Sequence, residues 1–137
     1  HGGIDFDLKA DTEIRVVADG KIEEKQYVEG EGYNLIIVHD QYGLATGYTP
    51  IKDPQLEKGG QVKKDQVLGK VGTDLKGTPF LHFEVNAFRQ GGRVCPYNYF
   101  NADAKAAFDQ MFSQSNYPEK SSEPNICNCE LVPVAGR

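Results

Sequence analysis

The 137-residue chain sets 15 Lys and Arg against 20 Asp and Glu, a net charge of −5, and is 39% hydrophobic with 15 glycines and 7 prolines. That length holds one core rather than two. No apolar run approaches the roughly 18 residues of a membrane span, and the interspersed charges form no basic stripe for nucleic acid.

Neither Met nor a secretory leader opens the chain, which reads as a terminus exposed after removal of an upstream segment. Residues 1–100 predict short strands between turns. Ile14–Ala18 is an apolar run of buried type. Asp19-Gly20 predicts the positive-φ corner of a tight hairpin, and Ile22–Val28 its return strand. Tyr33–His39 (YNLIIVH) is the strongest strand, followed by a turn at Tyr42-Gly43 and a strand over Ala45–Tyr48. Pro50, Pro54 and Gly59-Gly60 predict breaks before Gln61–Val71, and Gly77-Thr78-Pro79 leads into a strand over Phe80–Phe88. Many short strands without a long helix between them predict a mainly β fold, an antiparallel barrel or sandwich.

From residue 101 the pattern changes. Ala104, Ala107, Phe108, Met111 and Phe112 recur at helical spacing, with Asn101 or Asp103 as the cap, which predicts one C-terminal helix laying its apolar stripe on the barrel. Residues 113–125 are polar and contain proline, a loop or linker, and residues 126–137 add an edge strand or trail. The chain thus divides into a β domain, 1–100, and a helix with its tail, 101–137. Cys127 and Cys129 are too close for a relaxed bridge. A disulfide from Cys95 to one of them is the simpler reading and favours an oxidising compartment; metal binding by the C-x-C pair is the sharper one.

The chemistry-bearing residues are few. Its three histidines are His1, His39 and His82. His1 and Asp5 lie in the glycine-rich HGGIDFD, and alternation along TPFLHFEV puts Phe80, His82 and Glu84 on one strand face. Two imidazoles and one carboxylate, with a fourth position for water, make the ligand set of a catalytic-type zinc site. If His1 and His82 hold metal, His39 alone is left for acid–base work. As first residue, His1 also offers an amine and an imidazole together, a copper-chelating alternative.

HGGIDFD resembles the H-x-G-x-D motif of the LytM/lysostaphin-type zinc endopeptidases. VVADGKI resembles that family's A-x-x-D/N-G-x-V hairpin, and GYNLIIVHDQYGLATGYTPI its G-x-x-V-x-I-x-H-x-x-G-x-x-T-x-Y-x-H-L stretch. GGQVKKDQVLGKVG resembles its glycine-punctuated ribbon, and TPFLHFEV its H-L-H-F-E strand. The resemblance covers residues 4–100 in order and implies a two-sheet, barrel-like sandwich with the metal in a groove across one sheet. It implies Zn2+ held by His1, Asp5 and His82. The two further histidines of the family do not carry over: Pro50 stands where it has Y-x-H, and Phe80 where H-x-H begins. His39 falls on a position outside the family's catalytic set and reads as structural. Glu84 becomes a partner of His82, a substitute base or a strand residue in a structural hydrogen bond, and Tyr48 a hydrogen-bond donor into the groove or equally a packing residue.

A zinc-retaining, catalytically impaired domain follows as the expectation. It binds peptides, such as peptidoglycan stems or cross-bridges, or a regulated protein partner, at a periplasmic or extracellular cell wall. The alternative is an active zinc endopeptidase that cleaves peptidoglycan peptides.

Overall fold

The computed structural model describes residues 3–113. Among them are nine strands: β1 (Ile4–Asp7), β2 (Glu13–Arg15), β3 (Gly20–Val28), β4 (Gly32–His39), β5 (Leu44–Lys52), β6 (Gln61–Val62), β7 (Val67–Val71), β8 (Phe80–Ala87) and β9 (Gly92–Val94). They are followed by one helix, α1 (Ala102–Ser113). The strands run antiparallel in the order β1-β8-β5-β4-β3-β6, with β7 joined to β5 and β2, and β9 to β8.

The mainly β fold with a C-terminal helix is as the sequence predicts, but the strands form one continuous open sheet rather than two separate ones. The reason lies in β5. Its first half pairs with β8 as far as Thr49, opposite His82, and its last residues, Ile51 and Lys52, pair with β7. Pro50 stands at the changeover, where it has no N–H to give to a ladder. The expected chain break at Pro50 is therefore a change of partner within one strand. On the other side, Tyr33 and Leu35 of β4 face Ile51 and Tyr48 of β5, so β5 carries one extra residue and bulges at Thr49–Pro50.

The alternating pattern of β4 and β8 decides which face is buried. Leu35 and Ile37 from β4, and Leu81, Phe83, Val85 and Ala87 from β8, join Ile14, Ile22, Ile51, Val62 and Leu68 in one core. Burying each large aliphatic side chain stabilises by roughly 1.5–3 kcal/mol, so the core commits β4, β5 and β8 to their register.

Three local expectations are corrected. The run after Ile14 does not hairpin at Asp19-Gly20, because β2 pairs with β7 while β3 pairs with β4 and β6. Gly20 is required for space rather than for turn geometry: an added Cβ would stand 2.6 Å from the Val38 carbonyl oxygen. The segment 61–71 is two strands separated by a turn, in which the Gln66 N–H bonds the Lys63 carbonyl at 2.9 Å. In α1, Asn101 is the cap, its Oδ1 accepting the Ala104 N–H at 2.8 Å. Ala104 and Ala107 of the anticipated buried stripe are exposed. The helix is tied to the preceding turn by the Tyr97 hydroxyl, which donates to Asp109 at 3.0 Å. Cys95 is buried, while Cys127, Cys129 and the rest of the tail lie outside the described residues.

Candidate functional site

The face of the sheet opposite the core carries the polar residues. Along β8 the half-buried positions are Phe80, His82, Glu84 and Asn86, as alternation predicts. The ladders then fix their neighbours. Asp5 of β1 is opposite His82 and Asp7 opposite Phe80. From β5, Thr49 is opposite His82 and Gly47 opposite Glu84. Asp5, His82 and Thr49 therefore form one row across three strands. The glycine-rich start of the chain permits this: an added Cβ on Gly3 would stand 2.3 Å from the Phe83 carbonyl oxygen, so only glycine lets the backbone come this close to β8.

His82 stands between two carboxylates. Its Nδ1 is 2.6 Å from Asp5 Oδ1 and its Nε2 is 2.9 Å from Glu84 Oε1. The hydrogen bond to Asp5, then that to Glu84, pushes the imidazole up to about 9 against the opposing effect of burial. The same hydrogen bond holds the Glu84 carboxyl below its usual range, and Arg93 Nε, 3.8 Å from Glu84 Oε2, adds to this. Without metal the ring is a cation at neutral pH, donating from both nitrogens.

A pH dependence follows for the metal-free protein. The raised His82 contributes stability that is fully present below its ordinary value of 6.5 and lost as pH climbs through about 9. The lowered Glu84 contributes above its ordinary value of 4.5 and loses that contribution on acidification. Melting of the chelated protein is expected to be highest between these values and lower at pH 9 than at pH 6. His82→Gln should flatten the alkaline limb, as a calorimetric series in one buffer set will show.

The remaining sequence-predicted residues are dispersed. Tyr48 is buried against Phe83, ring centroids 5.3 Å apart, and its hydroxyl accepts the Val17 N–H at 3.2 Å. Burial pushes that phenol up to about 12. It belongs to the core face, which is the packing role of the two open to Tyr48 rather than the donor role. Pro50 is also fully buried, on the inner side of the bulge, whereas Phe80 is on the open face beside Asp7. His39 is structural, as its context implied. Its Nδ1 donates to the Asp19 carbonyl at 2.8 Å, and Thr46 Oγ1 bridges His39 Nε2 (2.8 Å) and the Tyr48 hydroxyl (3.0 Å). Of the proposed ligands, Asp5 and His82 converge and His1 lies outside the described residues. Among the described residues no group of three metal-ligating side chains is found.

Sequence reasoning passed over Thr49, Gly47, Asp7 and Arg93. Thr49 is hidden when the strand is read as ending at Tyr48 before a proline, and Gly47, inside that strand, carries no side chain to draw notice. Asp7 was legible two positions after Asp5, on the same strand face.

The site is thus the open face of an antiparallel sheet carrying a histidine between two carboxylates. Residues 1–96 match Peptidase family M23, and the chain belongs to that family. Members of the family are zinc-dependent. The chain is 31% identical over 120 residues (85% of its length) to glycyl-glycine endopeptidase ALE-1 of Staphylococcus capitis, of which it spans 33%. Across the curated relatives it matches, it spans between 20% and 33% of their length. Two solved structures bear on function. One is the SpoIIQ-SpoIIIAH pore forming complex (TM-score 0.63, 26% identity, 80% of this chain and 70% of that one). The other is a zinc containing peptidase from Vibrio cholerae (TM-score 0.55, 31% identity, 62% of this chain and 26% of that one). No helix of the described residues is long and apolar enough to cross a membrane.

Proposed function

We propose that residues 1–100 form a zinc-holding M23 domain that recognises peptides and is impaired as a peptidase. The observation that carries this reading is the surroundings of His82. Asp5 and Glu84 flank the ring, while Phe80 beside it and the buried Pro50 offer no acid, base or oxyanion donor.

The donor set fits the metal. Asp5 Oδ1 and His82 Nδ1 face each other at 2.6 Å, a proton-sharing distance that would have to open to about 3.3 Å for both to sit on one tetrahedral ion, and mixed O and N donors suit zinc. Glu84 accepts the Nε2–H of His82, which leaves the Nδ1 lone pair toward Asp5, the carboxylate–histidine support common behind metal ligands. His1, Asp5 and His82 would hold the ion. When bound, it supplies Lewis-acid polarisation of a carbonyl.

Missing proton transfer removes about 10²–10⁴-fold of rate, and a missing oxyanion donor about 10²–10³-fold. Peptide affinity does not depend on either. The ligand is a peptidoglycan stem or cross-bridge peptide, or a partner protein, encountered at the cell wall in a periplasmic or extracellular setting. Likeness to the SpoIIQ-SpoIIIAH complex supports partner binding. Likeness to ALE-1 supports the second reading, an active endopeptidase in which Glu84 serves as base.

Purified protein loaded with zinc and incubated with cell-wall peptides decides between them. Binding without new amine termini is expected. Turnover that disappears in His82→Ala overturns the impaired reading.

A further inference from the structure

We propose that Thr49 supplies the hydrogen-bond donor of this site, holding a backbone carbonyl oxygen of an extended peptide seated beside His82. The inference rests on the peptide-recognition reading above and names a residue that it lacks.

The placement comes from the ladder. Thr49 and His82 are directly opposed on β5 and β8, so their side chains rise from the same face. Opposed residues of antiparallel strands have Cβ atoms about 4.5–5.5 Å apart. Thr49 is half-buried, and the bulge it shares with Pro50 is the kind of irregularity that re-aims a side chain at a strand's end. The two other hydroxyls of β5, on Thr46 and Tyr48, point the opposite way and are consumed by His39 and Val17. The Thr49 hydroxyl takes no such bond from the described residues.

Chemistry then singles it out. A peptide carbonyl needs a donor, and the carboxylates of the neighbouring rows, Asp5, Asp7 and Glu84, present acceptor oxygens. Pro50 lacks an N–H, Phe80 is apolar, and Arg93 is drawn toward Glu84. Next to Thr49 on the same face, Gly47 has no side chain. A Cβ there would stand 3.6 Å from Glu84 Cβ, ordinary contact, so glycine leaves a bare strip where a peptide backbone can lie along β5. Donor and strip are adjacent, which is the arrangement an extended, side-chain-tolerant backbone requires.

The experiment uses the full chain, zinc-loaded, titrated calorimetrically with N-acetyl-pentaglycine amide, a probe made of backbone alone. Thr49→Val is expected to weaken binding about 3- to 10-fold, the loss of one neutral hydrogen bond, and Thr49→Ser to restore it. Zinc content and melting temperature should match wild type in both. Equal affinity in Thr49→Val overturns the proposal, because the retained methyl would then be the contact, as does a Thr49→Ser as weak as Val, because the hydroxyl would then not be sufficient. Failure of the reading beneath it is separately visible. A wild type that holds zinc but ignores the probe rejects peptide recognition and this role together. A protein that binds the probe through Thr49 without zinc rejects only the metal.

Discussion

His82→Ala is expected to release zinc from a protein that still folds. His82 is half-buried on the open face, outside the core, and Ala keeps the strand. On the proposed ligand set, what disappears is one imidazole and the anchor that orients Asp5 and Glu84. Removing a residue that only supports a ligand typically lowers metal affinity about 10–100-fold, so loss of a ligand should exceed a hundredfold. Glu84→Gln, which keeps shape but weakens the support of Nε2, belongs within that 10–100-fold range. Metal stoichiometry after dialysis, with competitive chelator titration for affinity, measures both. A His82→Ala protein that retains one tightly held zinc would rule out the proposed ligand set.

His39→Ala should do the opposite. The imidazole is almost entirely buried, and removing it empties a side-chain volume and takes one hydrogen bond from the Asp19 carbonyl, which keeps Gln41 Nε2, and one from Thr46, which keeps the Tyr48 hydroxyl. A cavity together with two lost hydrogen bonds costs about 2–5 kcal/mol, a large share of the roughly 5–15 kcal/mol that holds a domain together. Denaturant unfolding should show this loss, while zinc bound per folded molecule stays at the wild-type value. Loss of metal with unchanged stability would reverse the assignment of the two histidines.

These two residues also show how far the chain could be read. Alternation alone put Phe80, His82 and Glu84 on one face, and it did so because β8 buries its other face completely. The glycines of HGGIDFD hinted at close approach, and Gly3 against Phe83 is where it occurs. Non-local pairing was not legible. Nothing in Asp19-Gly20 says that the strands on either side choose different partners, since β2 finds β7 across some fifty residues. Pro50 was read as a break because propensity is local, whereas the bulge and the exchange of partners at β5 are set by three strands at once. Motif position leaves Tyr48 either a donor into the groove or a packing residue; its parity with Thr46 turns it inward, where burial keeps its phenol protonated.

Strand β1 spans four residues and, among the described residues, is paired on one side only, to β8. Asp5 rides on it. On the proposed ligand set, attachment of this short border strand and capture of the ion would be a single equilibrium: peeling β1 away would take a carboxylate from the cation, and the cation would in turn rivet the border down.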